Sequence, residues 1–147
     1  MKKQAYTMIA MIVLFGSMAV VAKGQTGGRL ELIANIPLGF NVGNRMMPAG
    51  EYTLSRVNPA SDPAVLHLRS KDGRASVNVP MINVIGKAQE SSKLMFHQYG
   101  NKYFFAEAWV DGDNTGLQTP KSRAERAAES EMAGMKAKAE TVALRVR

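Results

Sequence analysis

Apolar and polar residues alternate in short runs between residues 29 and 110, and residues typical of turns separate these runs. The first run, residues 30–36, has a period of two and ends at Pro37, which cannot donate to a strand ladder. Similar runs follow at residues 40–42 and 51–57, with a Pro48-Ala49-Gly50 turn between them. A period of two is typical of half-buried strands, so the pattern predicts a β-fold.

The dipeptide Asp72-Gly73 predicts the best-defined hairpin of the chain, because both central positions of a tight hairpin turn favour a positive φ. With these two residues as the turn, Leu66 faces Val79 on the opposite strand. One face of the hairpin then carries Leu66, Leu68, Ser70, Ala75, Val77 and Val79. The other face is polar, and a shift of one residue would mix the two faces. Hydrophobic pattern and turn chemistry therefore select the same register.

A second hairpin is predicted around residues 100–101, with His97 facing Phe104 and Leu94 facing Glu107. Both faces of this strand pair are rather apolar. Such a pair usually lies centrally in a fold, with the core on one side and another element on the other.

The period changes after Pro120. Ser122 and Glu125 have the spacing of a capping box, which is typical of a helix start. The Ala- and Glu-rich residues that follow predict one helix over about residues 121–141. Its apolar stripe is mostly alanine, and Gly134 costs about 1 kcal/mol relative to alanine inside a helix. We therefore expect this helix to gain little from packing.

The N-terminal segment has the pattern of a secretory signal. Lys2 and Lys3 precede an uncharged, almost wholly apolar stretch over residues 8–21, and small residues follow at Ala22 and Gly24. The pattern predicts a signal peptide over residues 1–24. Cleavage after Ala22, or retention of the segment as an uncleaved anchor, are the alternatives.

Length and composition limit the class of protein. Removal of residues 1–24 leaves 123 of the 147 residues, the size of one domain. A chain of this length can form a core without disulfides, and it has no cysteine to form them, to ligate zinc or to act as a thiol nucleophile. The segment 1–24 also carries three lysines, so its removal lowers the net charge from +7 to +4.

The remaining positive charge lies mainly in residues 121–147, where it alternates with glutamates. A nucleic-acid-binding protein usually has a dense basic face, so we expect no nucleic-acid partner. After the signal, no apolar stretch approaches the roughly 20 residues that span a bilayer, so we expect no transmembrane segment there.

Together these patterns predict an all-β fold: an antiparallel β-sandwich or small β-barrel of about seven or eight strands, followed by one C-terminal α-helix. The predicted organisation is a signal peptide at residues 1–24, an antiparallel β domain at residues 25–120, and a C-terminal helix and tail at residues 121–147.

Four motifs, in this order, resemble those of a family of short exported bacterial proteins found mostly in acidobacteria. They are Ile36-Pro37-x-x-Phe40-x-Val42-Gly43, Pro48-Ala49-Gly50-x-Tyr52, Phe96-His97-x-Tyr99-Gly100-x-x-Tyr103-Phe104 and Pro120-Lys121-Ser122-Arg123-Ala124-Glu125-Arg126. The resemblance covers about residues 30–130 and implies export and a compact β-rich domain with a C-terminal helix. It implies no activity and no catalytic or binding residue.

The residues that would form a ligand site are Tyr99, Tyr103, Glu107 and Trp109. Aromatic planes stack on the C–H surfaces of sugars, although aromatic residues at strand spacing more often belong to a core. In the predicted register Glu107 shares a face with Phe105 and Trp109, and we expect it to be partly buried beside an Arg or Tyr partner.

The histidines offer a weaker hypothesis. His67 is expected to lie on the polar face of the first hairpin, as a solvated residue. His97 and Glu107 would be the centre of a hydrolase or metal-dependent enzyme, but no spacing brings further ligands or a nucleophile to them. We therefore predict no catalytic residue, no metal site and no cofactor.

The sequence favours a non-enzymatic exported protein that acts as a binding or structural module of the cell envelope or periplasm. Its partner would be an envelope protein or a glycan. The alternatives are a small-ligand or carbohydrate-binding β-module at Tyr99, Tyr103 and Trp109, and the enzyme just described. The expected location is periplasmic, outer-membrane associated or extracellular.

Overall fold

The computed structural model describes residues 30–58, 64–134 and 140–145. The predicted signal at residues 1–24 lies outside the described residues. The described part of the chain forms ten strands and one helix. In chain order these are β1 (Glu31–Ile36), β2 (Phe40–Val42), β3 (Arg45–Met47), β4 (Gly50–Arg56), β5 (Ala64–Ser70), β6 (Ser76–Ile85), β7 (Lys93–Tyr99), β8 (Lys102–Trp109), β9 (Thr115–Gln118), α1 (Arg123–Gly134) and β10 (Glu140–Arg145).

The strands join into one sheet with the order β1-β4-β5-β6-β9-β8. From β8 the sheet continues to β7 and β10 by antiparallel pairing. It also continues to β2 and β3 through one parallel pair, Asn41 with Phe104. The predicted all-β fold with a C-terminal helix is confirmed, with more strands than the seven or eight expected. The sheet formed by the described strands is not closed, so the barrel alternative was wrong.

The main hydrophobic core lies between the half of the sheet that contains β4 and the half that contains β7. The alternation predicted for β1 is confirmed, since every second side chain is buried from Leu32 to Ile36. Phe40 of β2 is fully buried between the halves. Its ring makes edge-to-face contacts with Tyr52 of β4 at 5.3 Å and with Phe96 of β7 at 5.6 Å, between centroids. These contacts are typical of a sandwich, because β4 and β7 are not neighbours in the sheet.

The hairpin of β5 and β6 has the predicted register. Leu66 pairs with Val79, and Gly73 in the turn has a φ of 71°. The apolar face is directed into the core, where Leu66 and Leu68 are fully buried.

The hairpin of β7 and β8 follows the prediction only near its turn. His97 pairs with Phe104 as expected, but the register shifts between Met95 and Phe96. As a result Glu107 pairs with Met95, so the predicted pairing of Glu107 with Leu94 was wrong. The bulge also moves the side chains that follow it in β8 to the opposite face of the sheet, because it adds one residue to the strand.

The C-terminal segment also differs from the prediction. The helix ends at Gly134, earlier than the expected position near residue 141. β10 follows and pairs antiparallel with β7 along its whole length, from Glu140 with Gln98 to Arg145 with Lys93. Residues 140–145 are thus part of the sheet, where a C-terminal helix and tail were expected. The β-branched residues Thr141 and Val142 favour an extended strand over a helix.

Candidate functional site

Side chains from β7 and α1 meet at a buried carboxylate. Glu125 of α1 is only 3% exposed. Its Oε1 lies 2.7 Å from Nδ1 of His97 and accepts a hydrogen bond of 3.1 Å from the Tyr99 hydroxyl. We call His97, Tyr99 and Glu125 the polar latch, because they join the helix to the sheet.

A carboxylate has no donor, so where Glu125 accepts from this ring the hydrogen lies on Nδ1 of His97. The Nε2 atom is the ring nitrogen left for another partner, on a side chain that is 26% exposed. Within the described residues, no serine or threonine hydroxyl is bonded to this ring, so the latch has an oriented histidine without an adjacent nucleophile.

Burial raises the pKa of the Tyr99 hydroxyl above its ordinary value of 10.0, and the charge of the Glu125 carboxylate raises it further. The hydroxyl therefore remains protonated and donates to Glu125 over the whole neutral range.

The start of α1 is fixed by two caps. The Ser122 hydroxyl accepts the Glu125 backbone N–H at 3.1 Å, which is half of the predicted capping box. The Asn44 side-chain oxygen, from the turn between β2 and β3, accepts the Ala124 N–H at 3.1 Å. Instead of closing the box on Ser122, the Glu125 carboxylate binds the sheet. Sequence reasoning missed this role because the spacing explained Glu125 locally.

The apolar part of the helix contact is small. Ala128 and Met132 of α1 pack on Tyr99 and Phe104, with Ala124 at the margin. The Tyr99 and Phe104 rings meet edge to face at 5.7 Å. This cluster is separate from the main core, and it confirms that the helix offers mainly alanine to the sheet.

The four predicted ligand residues do not share one cleft in the structure. Tyr99 is 4% exposed beneath α1, and Trp109 is 8% exposed. Tyr103 packs against the main core, on the opposite face of β8 from Phe104. Their arrangement offers no common stacking platform, because the described structure uses the three aromatic rings in packing.

Glu107 and Trp109 form a second polar contact on β8. The Trp109 Nε1 donates to Glu107 Oε2 at 2.7 Å, and Gln118 of β9 donates to Glu107 Oε1 at 3.4 Å. The expected Arg or Tyr partner of Glu107 was therefore wrong. Because of the bulge, this pair also lies away from the face of Phe105, which belongs to the main core.

The indole of Trp109 lies directly on two glycines. A Cβ at Gly116 or at Gly86 would come within 2.7 Å of the ring. Only residues without a side chain allow the ring this position, so the Trp109 contact is built for close packing. The two glycines lie against the indole ring, and Glu107 accepts the hydrogen bond from the indole N–H.

His67 lies where it was expected, on the polar face beside β6. Its Nδ1 is 2.6 Å from the Asn78 side-chain oxygen. Among residues 30–58, 64–134 and 140–145 there is no group of three or more His, Cys, Asp or Glu side chains that could hold a metal ion. In the same part of the chain, no helix has the length and hydropathy needed to cross a membrane.

Comparison of the chain with protein-family models, with curated proteins and with solved structures finds no match.

Proposed function

We propose that this chain is an exported, non-enzymatic protein of the cell envelope or periplasm that acts as a binding or structural module. Export is supported by the basic, apolar and small-residue pattern of residues 1–24. The absence of cysteine suits a module that holds its shape through one hydrophobic core.

One observation carries the non-enzymatic part of the proposal. The groups that an enzyme would use are bonded into separate structural contacts: His97 to Glu125 of the helix, and Glu107 to Trp109. A catalytic histidine and carboxylate need to face a common reacting atom. Here His97 instead binds the helix, and Glu107 binds the indole of Trp109 on its own strand.

Site-specific photo-cross-linking in the envelope tests the proposal. A photoreactive residue is placed at one of three exposed positions on different elements: Met46 on β3, Arg74 after the first hairpin turn, and Arg126 on α1. We expect one position to give a discrete adduct that excess unlabelled protein competes away. The other two positions are matched controls for random collision.

Adducts that are equal at all three positions, or that do not compete, would contradict a specific binding module. Export is checked in the same cells by mass spectrometry of the purified protein. We expect an N-terminus after Gly24 or Ala22, and an intact precursor confined to the cytoplasm would overturn the exported location.

A further inference from the structure

An open groove lies on the outer face of strands β1, β4 and β5, on a different part of the molecule from the polar latch. Its volume is about 390 Å³, within the range of roughly 300–1,000 Å³ that small-ligand sites occupy. We call it the sheet groove. The outward side chains that line it are Glu31, Thr53, Ser55, His67, Arg69 and Lys71.

The strand register brings these side chains together on one face. Glu31 pairs with Ser55, and Ser55 pairs with His67 on the next strand, so the three lie in one row across the sheet. Thr53 and Arg69 pair in the neighbouring row. Because adjacent strands are about 4.8 Å apart, side chains of both rows can contact one small ligand.

Most of the polar side chains of the sheet groove have no partner in the protein. Within the described residues, those of Glu31, Thr53, Ser55 and Arg69 make no hydrogen bond and no ion pair. Thr53 and Ser55 are half-buried, and their short side chains lose little conformational entropy when a ligand binds. The site therefore offers hydroxyls that are both available and nearly fixed in position.

His67 is oriented by Asn78 of β6. Its Nδ1 lies 2.6 Å from Asn78 Oδ1, which can only accept, so the hydrogen of this bond lies on Nδ1. Nε2 is the ring nitrogen left for a ligand, on a half-buried side chain. The groove thus combines hydroxyls, which donate and accept, with an imidazole, a guanidinium and a carboxylate.

The charges of the sheet groove are balanced. Lys71 is paired with Glu51 at 3.2 Å. The other charged side chains of the lining are one carboxylate, Glu31, and one guanidinium, Arg69. This balance favours neither an anion nor a cation, and it suits an uncharged ligand whose groups both donate and accept hydrogen bonds.

An apolar side chain lies beside the polar rows. Ile33 is on the same face as Glu31, pairs with Thr53 and is 49% exposed. Sugars combine hydroxyls with C–H surfaces, so a face with both polar rows and one exposed aliphatic side chain matches both parts of a sugar ring.

We propose that the sheet groove binds a neutral oligosaccharide. The sugar hydroxyls exchange hydrogen bonds with Thr53, Ser55 and His67, and a C–H surface contacts Ile33. This inference deepens the proposed function by naming the class of ligand, and it rests on that function only for its biological purpose. The site itself is tested on the purified protein.

The test is titration of the purified ¹⁵N-labelled protein with maltotriose and with cellotriose, two neutral trisaccharides that differ in linkage. We expect at least one of them to shift the amides of Thr53, Ser55 and His67 in a saturable manner. Glycerol at the same hydroxyl concentration is the control for simple solvation and should give no saturable shift. Trigalacturonate is the control for charge and should bind no more tightly than the neutral sugars.

Three variants complete the test. Thr53→Val and Ser55→Ala each remove a hydroxyl and little else, and each should weaken trisaccharide binding about five- to tenfold. Ser130→Ala, at an exposed position of α1, is the matched control and should change nothing. Unchanged amide shifts in the other strands show that each variant is folded.

Four results would overturn the proposal: no saturable shift with either trisaccharide, equal shifts with glycerol, tighter binding of trigalacturonate, or unchanged affinity in both groove variants. Cross-linking to an envelope partner is unaffected by any of these results, so the two proposals can fail separately.

Discussion

The two faces of the β7–β8 hairpin are covered in different ways. On the core face Phe96 and Phe105 are fully buried, and their rings meet edge to face at 5.9 Å. On the other face α1 offers Ala128 and Met132, and the buried Glu125 binds His97 and Tyr99. A buried aromatic ring contributes several kcal/mol, whereas an alanine methyl contributes about 1 kcal/mol. The hydrogen bonds of the polar latch therefore provide much of the stabilisation that apolar burial does not provide at the helix.

The largest expected effect concerns the core face. We expect Phe96→Ala to lower the free energy of unfolding by about 3–5 kcal/mol, because it leaves a cavity beside Phe40 and Phe105. Urea denaturation followed by circular dichroism measures this, and the loss should affect strands and helix together. Met46→Ala is the control, since that side chain is 71% exposed and should change stability by less than about 0.5 kcal/mol. Equal effects of the two substitutions would contradict the described core.

The next effect is local and lies on the helix face. Glu125→Gln preserves the shape of the side chain but replaces the carboxylate that His97 and Tyr99 bind. We expect the helix contact to weaken by about 1–3 kcal/mol. Amide hydrogen exchange should become roughly tenfold faster or more in α1, while the β5 amides keep their protection.

Glu131→Gln is the matched control on the same helix, because that carboxylate is exposed and bound to Lys102. It should alter exchange in α1 only slightly. If both substitutions act equally, or if the strands lose protection together with α1, the latch is not a separate support of the helix.

The same contrast explains what the sequence could predict. The register of the β5–β6 hairpin follows from the sequence because the Asp72-Gly73 turn and the alternation give the same answer. In β8 the alternation is lost, since Phe104, Phe105 and Ala106 are all apolar and all buried. No pattern of hydrophobicity marks the bulge there, so the positions of Glu107 and Trp109 were assigned to the wrong face.

The candidate site is formed by residues that are far apart in sequence. Local sequence patterns explained these residues in other ways, so the contacts between them could not be predicted. Glu125 had a sufficient local explanation as the third residue of the helix, and only the sheet reveals that His97 is its partner. β10 was concealed by the neighbouring helix pattern, although residues 140–145 contain the alternating Val142 and Leu144. That short strand is stabilised by pairing with β7, which sequence spacing does not encode.

A smaller effect is expected from the Tyr99 hydroxyl, and it depends on pH. The pKa of Tyr99 is raised in the folded protein, so its contribution to stability is complete below pH 10 and is lost as pH rises through the folded pKa. Tyr99→Phe should cost about 1 kcal/mol at pH 7 and should reduce the loss of stability between neutral and alkaline pH. Denaturation curves at a series of pH values from 7 to 12 measure both changes.

Tyr52 is the comparison for this experiment, because its pKa is also raised, first by burial and then by Asp72. Tyr52→Phe should reduce the alkaline loss without changing hydrogen exchange in α1. An alkaline loss in Tyr99→Phe as large as that of the unchanged protein would show that the latch does not contribute to it.

The smallest effect separates the buried latch from an exposed ion pair between the same helix and β8. Lys102 and Glu131 approach to 3.3 Å, but both side chains are more than half exposed. Water and salt screen such a pair, and fixing two long side chains costs conformational entropy, so Lys102→Ala should change stability by less than about 0.5 kcal/mol.

A double-mutant cycle on Lys102 and Glu131 should therefore give a coupling energy near zero that disappears in salt. The same cycle on His97 and Glu125 should give a larger coupling that salt barely reduces, because Glu125 is removed from solvent. If the two cycles give equal couplings, burial is not what makes the latch effective, and the contrast between the two faces of the hairpin does not hold.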